Sequence, residues 1–496
     1  MKKSAITPVD APRDFEVHEL FFSTTDHKGI IRSGNDVFIR VSGYTESEMI
    51  GRPHNLIRHP DMPRAVFRLV WAHLLQRKAV AGYIKNMAAD GRYYWVVAVI
   101  TPLETGFLSV RFKPTGRLFA IAQALYAGMR RIEQEAEADG AAGGIAMDRS
   151  TEWMLAALRK EGFPDYDSFM SVMVGEELAS RDARIAADHR ELVPAHLVAT
   201  SRGNQLETIY RQCLSAYRQL NTLYTGLGHY TQLDQDLRTG FTEVTGLAGA
   251  IRLVALNATI KAARLGGLGH CTAVVAEFLA GTSGAIAKTC ASFAGQLQPV
   301  GQGLRTASFN LAAARLQLEM ILLFSQELAR LGHLDGSHGR DLDTLQTAFD
   351  GTIGPAVQAL QAVEQALIGF RGHSETFSQL TLNLQVSQTV GSIEASRLSH
   401  DLELKQTFDD LRRQTDGCRA ETTRLESSLG RFDAFAANSP AMIKEINAAI
   451  GATRCSVKEF VALLDRAKEV APAGAEPPPS GEPGAAGKPA PALALA

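Results

Sequence analysis

Residues 55–71 read NLIRHPDMPRAVFRLVW and place a polar loop directly before an amphipathic helix. An arginine, a histidine, an aspartate and two prolines are crowded into the segment Arg58–Pro63. Because proline fixes φ and lacks a backbone donor, Pro60 and Pro63 predict a rigid loop and a helix that begins just after Pro63. Apolar residues then recur at three- and four-residue spacing, as on one face of a helix. We interpret the loop as a segment built to hold a ligand.

Two hairpin signals lie on either side of this loop. Asp26–Gly29 is a turn signal between two short apolar runs, and Asp90-Gly91 precedes the β-rich run Tyr93–Ile100. Asp-Gly is a favoured pair in tight turns, and β-branched and aromatic residues favour strands. Residues 17–116 are therefore predicted to form an α+β domain, an antiparallel sheet with flanking helices.

The composition changes near residue 117, after which Ala, Leu, Gln, Arg and Glu dominate and apolar residues recur at helical spacing. This pattern predicts a mainly α-helical coiled-coil or bundle region, with helix breaks at Pro299, Pro355 and Pro440. The Pro-, Gly- and Ala-rich end of the chain predicts disorder. The expected segments are a flexible N-terminus over 1–16, the α+β domain over 17–116, a helical linker or bundle over 117–240, a helical hairpin over 241–298, a bundle over 299–470 and a disordered tail over 471–496.

The composition also argues against several classes of function. The formal net charge of -2 offers no bulk basic character for binding nucleic acid. The five cysteines are scattered without metal-ligand or redox spacing, which is typical of a protein in the reducing cytoplasm. The sequence shows no phosphate-binding loop, no kinase nucleotide box and no paired nucleophile and base, so we expect a protein that is not an enzyme.

A membrane span is not expected from the sequence. The best candidate, Leu118–Met129, has twelve residues, whereas a helix that crosses a bilayer requires roughly 20 apolar residues. Lys2 and Lys3 are not followed by an apolar run, so a secretory signal is not predicted either. We therefore expect a soluble, cytoplasmic protein.

The predicted order of strands and helices in residues 17–116 resembles that of a PAS domain. Four motifs make the resemblance closer: TTD, N-D-x-F-x-x-V-S-G-Y-T, G-x-P-H-N-x-x-R-H-P-D-M-P and K-N…D-G-x-x-Y-W-V, which begin at Thr24, Asn35, Gly51 and Lys85. These motifs resemble the PAS module of bacterial aerotaxis receptors, a family in which the pocket holds FAD and the redox state of its ring is the signal. The resemblance implies a sensor domain that binds FAD.

Matched position by position, the resemblance places the cofactor contacts on Arg58, His59 and Asp61 in the loop and on Asn86 in the facing strand. An arginine can pair with a phosphate or a carboxylate, and an amide offers both a donor and an acceptor to the edge of a flavin. The same loop could instead be a structural latch in which Arg58 pairs with Asp61.

Two further alternatives for the pocket stay open. Relatives often carry an aromatic residue where this chain has Val80, so an empty or differently filled pocket is compatible with the sequence. Haem is the other ligand that PAS pockets use. It needs an axial histidine, for which His54, His59 and His73 are available.

A second resemblance lies in residues 247–278, LAGAIRLVALNATIKAARLGGLGHCTAVVAEF. Through its core L-x-A-L-N-A-x-I-x-A-A-R-x-G, this stretch resembles the signalling tip of methyl-accepting chemotaxis transducers. The tip is divergent, because Lys261 and Gly267 stand where relatives have glutamates. Three glycines within residues 266–269 predict a tight reversal. The resemblance assigns the signalling tip to Leu253, Leu256, Asn257, Lys261 and Arg264.

The helix before this reversal carries two apolar stripes. One stripe contains Ile251 and Ala258, and the other contains Leu253, Leu256 and Ile260. A single return helix cannot cover both, so we expect a homodimer or a higher oligomer.

Together the two resemblances imply a soluble transducer that senses redox state or a small ligand and signals to a chemotaxis histidine kinase through its adaptor. Other chemoreceptors are further expected partners. The alternative is a divergent, non-enzymatic scaffold that docks into chemosensory arrays without controlling the kinase. Glu176-Glu177 is the nearest approach to a methylation pair, and we interpret it as a solvated helix face.

Overall fold

The computed structural model describes residues 6–197, 204–264, 266–331, 334–397 and 402–470. These residues fall into two compact units. Unit 1 takes the chain up to Asn221, Phe309–Gly354 and the chain from Glu445, and unit 2 takes Thr222–Ser308 and Pro355–Lys444. The expected disordered tail, residues 471–496, lies outside the described residues.

The described elements are six strands and ten α-helices, with 3₁₀ helices at His54–Ile57 and Gly266–Gly269. The strands are β1 (Val9–Pro12), β2 (Phe21–Thr25), β3 (Ile31–Gly34), β4 (Val80–Met87), β5 (Arg92–Pro102) and β6 (Phe107–Phe112). The helices are α1 (Asp36–Ser42), α2 (Glu46–Met49), α3 (Arg64–Leu75), α4 (Leu118–Ala138), α5 (Gly143–Lys160), α6 (Tyr166–Ala187), α7 (Asn204–Arg264), α8 (His270–Arg330), α9 (Gly336–Arg397) and α10 (Leu402–Val470).

All six strands form one sheet in unit 1, in the order β1-β5-β6-β2-β3, with β4 paired to β5. Both predicted hairpins are present, since β2 pairs with β3 and β4 pairs with β5 in antiparallel register. The expectation that residues 1–16 are flexible is wrong for β1, which pairs in parallel with β5. Backbone hydrogen bonds hold β1 there, from Val9 N–H to the Gly91 carbonyl and from Arg13 N–H to the Tyr93 carbonyl.

The two faces of the sheet pack against different parts of unit 1. On the inner face, Phe21 stacks on Phe38 of α1. On the outer face, Trp95 packs on Phe119 of α4, and Phe22 packs on Phe324 of α8. Because side chains alternate along a strand, this division decides which polar side chains point into the domain and which point toward the helices.

The pair Glu176-Glu177, for which the sequence predicts a solvated face, connects helix α6 to the sheet and to the start of α4. That prediction is wrong, because Glu177 is fully buried. Its carboxylate accepts hydrogen bonds from the Tyr83 hydroxyl at 2.7 Å and from the Thr115 and Gly116 N–H groups at 2.6 and 2.8 Å. Glu176 accepts from the Leu118 N–H at 3.0 Å. The pair therefore caps the chain where it enters α4.

In unit 2, parts of α7 to α10 pack as four antiparallel helices. The rings of Phe241 and Phe293 stack at 5.1 Å between α7 and α8. Between α9 and α10, Gly391 lies against Phe408. The predicted reversal is present as the 3₁₀ helix Gly266–Gly269, in which Gly266 has a φ of 58° that favours glycine.

The helix breaks expected at the three prolines are wrong. Pro299, Pro355 and Pro440 all lie inside continuous helices, α8, α9 and α10. An interior proline costs roughly 3 kcal/mol of helix stability, and packing along helices of 61 to 69 residues can offset that cost. The segment boundaries expected at residues 240 and 298 therefore fall inside α7 and α8.

Two described helical segments are long and apolar enough to cross a membrane by length and composition. In His270–Arg330, 83% of the apolar window is buried inside the protein, and in Gln235–Arg264 the share is 28%. The first value is that expected for a core helix, because Leu311, Leu316 and Leu322 of α8 are all fully buried. Such segments are weak evidence for a membrane span.

Candidate functional site

The loop Arg58–Pro63 is attached to β4 by its backbone. Arg58 and Asn86 form an antiparallel β-bridge, and the His59 N–H donates to the Lys85 carbonyl at 3.3 Å. The loop therefore lies beside the strand that carries Asn86, as the resemblance implied. Pro63 directly precedes α3, so the chain leaves the loop in a direction that the proline ring and the helix fix.

Asp61 is held by Lys85 rather than by Arg58. The Lys85 ammonium lies 2.6 Å from the Asp61 carboxylate, and His59 Nδ1 lies 3.4 Å from the same oxygen. Burial raises the pKa of Asp61, but the hydrogen bond and charge of Lys85 outweigh it and the pKa of Asp61 is lowered. Burial, helped by the charge of Lys85, lowers the pKa of His59, so its imidazole is neutral at pH 7.

The Arg58 guanidinium makes contacts inside the domain. It lies 4.2 Å from the centroid of the Phe67 ring and donates to the Met62 carbonyl at 3.4 Å. Burial lowers the pKa of Arg58. The alternative of a latch between Arg58 and Asp61 is therefore wrong in its pairing, because Lys85 takes the place of Arg58.

A set of polar side chains lies on the inner face of the sheet, where an apolar core would be expected. The pairing register places Asn86 opposite Tyr94, and Ser23 opposite Ser109. Arg111 pairs with Ala98, which alternation places on the same face as Tyr94. We call this set, with His54 from the 3₁₀ helix His54–Ile57, the core polar cluster: Ser23, His54, Asn86, Tyr94, Ser109 and Arg111.

Arg111 is the charged member of the core polar cluster. Its guanidinium donates to the Ser23 hydroxyl at 3.0 Å and to His54 Nε2 at 2.7 Å. Burial, helped by the charge of Arg111, lowers the pKa of His54 to about 3, so this imidazole is a neutral acceptor. The His54 ring also stacks on Phe38 at 6.2 Å.

Three members of the cluster are buried without a partner among the described residues. The atoms are Asn86 Nδ2, the Tyr94 hydroxyl and Ser109 Oγ. Burial raises the pKa of Tyr94 well above its usual range, so its hydroxyl remains a neutral donor. An unsatisfied buried polar group costs about 1–3 kcal/mol, so three on one face indicate a site for a molecule that would pair with them.

The structure divides the predicted cofactor residues into two groups. Asn86 belongs to the core polar cluster, whereas His59 and Asp61 contact Lys85, which alternation places on the other face of β4. Sequence reasoning missed Arg111, Tyr94, Ser109 and Ser23. The one signal for them was an arginine inside the otherwise apolar strand FLSVRF.

The histidines proposed for haem are engaged elsewhere. His54 Nε2 accepts from Arg111, and His59 Nδ1 accepts from the Asp61 N–H at 3.2 Å. His73 uses both ring nitrogens, toward the Leu69 carbonyl and the Asp167 carboxylate. Within the described ranges, no group of three or more His, Cys, Asp or Glu is placed to hold a metal ion.

The signalling-tip residues in unit 2 lie mainly on one exposed face. Leu253 is 63% exposed and Leu256 is 46% exposed, and Asn257 and Arg264 are also exposed. Lys261 differs, because its ammonium lies 3.2 Å from the Thr407 hydroxyl and 3.4 Å from the Glu403 carboxylate, both on α10.

Comparison with known proteins supports the N-terminal assignment. Residues 32–107 match the PAS fold. The aerotaxis receptor of Escherichia coli is 40% identical over 109 residues, which are 21% of this chain and 22% of the receptor. The biofilm dispersion protein BdlA of Pseudomonas aeruginosa is 19% identical over 324 residues, which are 51% of this chain and 78% of BdlA. The matched segment thus spans about a fifth of the length of the aerotaxis receptor.

Part of the chain is also similar to a solved structure. The PAS domain of a protein from Colwellia psychrerythraea covers 19% of this chain and 85% of that chain, with 21% sequence identity and a TM-score of 0.17. The N-terminal part of the chain is a PAS domain homologous to that of the aerotaxis receptor. The long helical region that follows is consistent with a transducer domain.

Proposed function

We propose that this chain is a cytoplasmic PAS-containing signal transducer that holds FAD in its PAS core and signals to a chemotaxis histidine kinase through the adaptor. The observation that carries the proposal is the buried Asn86 amide, whose Nδ2 has no partner among the described residues. It lies beside the loop Arg58–Pro63, where the resemblance to aerotaxis receptors places the cofactor.

The core polar cluster fits a flavin chemically. The edge of an isoalloxazine ring carries alternating hydrogen-bond donors and acceptors, and the Asn86 amide offers both kinds. Tyr94 and Ser109 add buried hydroxyls on the same face. The backbone bridge between Arg58 and Asn86 joins the loop to this strand. His59 and Asp61 would act on the site through the position of the loop, which their contacts with Lys85 hold in place. A bound flavin would supply a ring whose charge changes with its redox state.

The test is the absorption spectrum of the purified protein, followed by refolding with excess FAD. We expect flavin bands and stoichiometric binding. Asn86→Leu should weaken binding by about tenfold, because one hydrogen bond to the ring is lost. Asn55→Ala, an exposed asparagine in the same segment, is the matched control and should bind as wild type. A protein that stays colourless after refolding with FAD would refute the cofactor assignment.

The route from the PAS domain to the long helices would run through hydrogen bonds within unit 1. Glu327 of α8 accepts from the Asp36 N–H at 2.9 Å, at the start of α1. Asp341 of α9 accepts from the Ser33 hydroxyl of β3 at 2.5 Å. Gln317 of α8 donates to Thr101 of β5 at 2.8 Å. A change in the PAS core would therefore act directly on α8 and α9.

The alternative function, a scaffold that docks into chemosensory arrays without controlling the kinase, is supported by the residues of the signalling tip. Lys261 replaces the glutamate of related tips and is engaged with Thr407 and Glu403 of α10. An adaptor that fits the family pattern would meet an altered charge here, and such mismatches change partner choice more than fold stability. A titration with the organism's own adaptor tests this. Tight, salt-insensitive binding by wild type, unchanged in Lys261→Glu with Gly267→Glu, would remove the scaffold's support.

A further inference from the structure

Arg111 is a buried cation whose contacts in the described chain are all to neutral groups. Its exposure is 3%. It donates to the Ser23 hydroxyl and to the neutral His54 ring, and its guanidinium carbon lies 5.9 Å and 5.3 Å from the ring centroids of Phe21 and Phe38. Burial lowers its pKa to about 10, so the group is still charged at pH 7.

The other two large buried arginines of unit 1 provide an internal comparison. Arg181 lies 2.7 Å from the Glu319 carboxylate, and Arg315 lies 2.6 Å from the Asp182 carboxylate. Isolated buried charges are costly, and proteins pair them with an opposite charge. Arg111 departs from this rule within the described residues, which indicates that its counter-charge comes from outside the chain.

The surroundings of Arg111 favour a negative group. Asn86 Nδ2, the Tyr94 hydroxyl and Ser109 Oγ are all able to donate a hydrogen bond, and each is buried without a partner in the described structure. They share the inner face of the sheet with Arg111. A buried cation that shares one face of the sheet with unused donors complements a ligand that carries an anionic group and further acceptor atoms.

We propose that Arg111 is the counter-ion of an anionic group on the ligand of the PAS core. The inference rests on the proposed function, in which the ligand is a flavin nucleotide. The negative charge can then come from two sources: the phosphates, or the ring after it has taken up two electrons and one proton. The oxidised ring is neutral, so the two sources can be separated by experiment.

The first measurement is the stability of the ligand-free protein. The three tryptophans, Trp71, Trp95 and Trp153, all lie in unit 1, so their fluorescence follows the unfolding of that unit. In protein refolded without flavin, Arg111→Met should unfold at a higher temperature than wild type, because an unpaired buried charge is removed. With saturating FAD the order should reverse, already with the oxidised cofactor if Arg111 meets a phosphate and only after reduction if it meets the ring. An arginine with a purely structural role would make Arg111→Met less stable in both states.

The second measurement separates the two sources of charge. Binding of FAD and of riboflavin, which lacks phosphate, is measured for wild type and for Arg111→Met. If Arg111 meets a phosphate, the variant should lose at least tenfold in affinity for FAD and keep its affinity for riboflavin. If Arg111 meets the ring, dithionite reduction should reveal a tenfold lower preference for reduced over oxidised flavin with both ligands. That loss corresponds to a midpoint potential about 30 mV lower for a two-electron couple.

Two further variants complete the experiment. Arg111→Lys keeps the positive charge and should keep most of the wild-type affinity for flavin and most of the wild-type midpoint potential. This variant also tests the proposal if Arg111→Met does not fold. Arg92→Met removes an exposed arginine of the same sheet, paired with Asp90, and should match wild type in every ligand assay. Wild-type flavin binding with unchanged affinities and potential in both Arg111 variants would overturn this inference alone. A wild-type protein that binds no flavin would overturn the inference and the proposed function together.

Discussion

Among single residues, one buried and two half-buried carboxylates join the PAS domain to its helices. Glu177 joins α6 to the sheet, and Asp341 and Glu327 join α9 and α8 to β3 and α1. Each carboxylate accepts from a backbone N–H or a hydroxyl of another element. A hydrogen bond to a carboxylate is stronger than one between neutral groups, and removing either partner leaves a polar group unpaired, which lowers the free energy of unfolding.

Glu177→Leu should destabilise unit 1 by about 3 kcal/mol, because one buried and two partly buried donors would lose their acceptor at about 1–3 kcal/mol each. The donors are the Tyr83 hydroxyl and the N–H groups of Thr115 and Gly116. Denaturant unfolding followed by tryptophan fluorescence measures the loss. Glu176→Gln, at the neighbouring and less buried position, should cost less than 1 kcal/mol or so. Equal losses in the two variants would contradict the interpretation.

Asp341 should make the stability of unit 1 depend on pH. Burial raises its pKa to about 6, above the ordinary value of 3.8, despite the hydrogen bond from Ser33 and the nearby charges of His338 and Arg340. A raised pKa in the folded state stabilises the fold at low pH, and this contribution is lost as pH rises from about 4 to about 6. Asp341→Asn should therefore stabilise unit 1 at pH 7 by at most about 3 kcal/mol, and have little effect at pH 4.

The control for Asp341 is Asp335→Asn in the same segment. Hydrogen bonds from Ser337 lower the pKa of Asp335, so its contribution has the opposite sign and is present at neutral pH. Unfolding midpoints at pH 4 and pH 7 compare the variants. If Asp341→Asn shifted the midpoint equally at both pH values, the carboxyl group would not be the titrating group.

At the scale of elements, sequence reasoning worked where local chemistry decides the structure. The Asp-Gly turn at Asp90, the start of α3 after Pro63 and the reversal at Gly266 all depend on neighbouring residues, and all are present. The helix breaks predicted at the three prolines are absent, because the packing of the long helices outweighs the loss of stability that a single proline causes. β1 was missed because its pairing with β5 is a contact distant in sequence, which a local pattern does not encode.

The site was only partly predictable for the same reason. Asn86 could be named because a motif carries it through β4. Arg111 meets His54 and Ser23 only after three separate elements have assembled, and the alternation in FLSVRF does not show which face turns inward. Similarly, the charges of Arg181 and Arg315 are satisfied by Glu319 and Asp182 on different helices.

Pro299 lies inside the continuous helix α8 and removes one backbone donor from it. The residue lies on an exposed position of α8, between the buried residues Leu297 and Val300. Pro299→Ala restores a backbone donor and should stabilise unit 2 by about 1–3 kcal/mol. Amide hydrogen exchange over residues 295–303 should slow by at least tenfold. Pro440→Ala replaces a second exposed proline inside a helix and serves as the comparison. Faster amide exchange near residue 299 in Pro299→Ala would show that the proline is needed for the helix packing.

At the scale of the whole chain, two helical hairpins of similar length occur in one polypeptide. α7 and α8 have 61 residues each, and α9 and α10 have 62 and 69. Within unit 2, α10 reaches α7 at Lys261 and at Gly240, which lies against Leu425. The first apolar stripe of the tip is buried in this way, with Ile251 and Ala258 fully covered by the same chain. The homodimer expected from two stripes therefore has to rest on the second stripe alone.

The second stripe forms an exposed apolar surface on unit 2. Leu253, Leu256 and Ile260 of α7, with Val274 and Phe278 of α8, remain exposed in unit 2. Exposed apolar residues that adjoin one another mark sites of association, and a second copy of the chain offers the same surface in a symmetric contact. We expect light scattering at about 10–50 µM to show a dimer or a higher oligomer, a concentration range that detects even weak, micromolar interfaces. Leu253→Gln with Leu256→Gln should shift the protein to monomer without changing tryptophan-monitored unfolding of unit 1. Ile145→Gln, an equally exposed apolar residue of unit 1, should leave the oligomeric state unchanged. A wild-type monomer throughout this range would show that one chain, with its two hairpins, is the complete assembly.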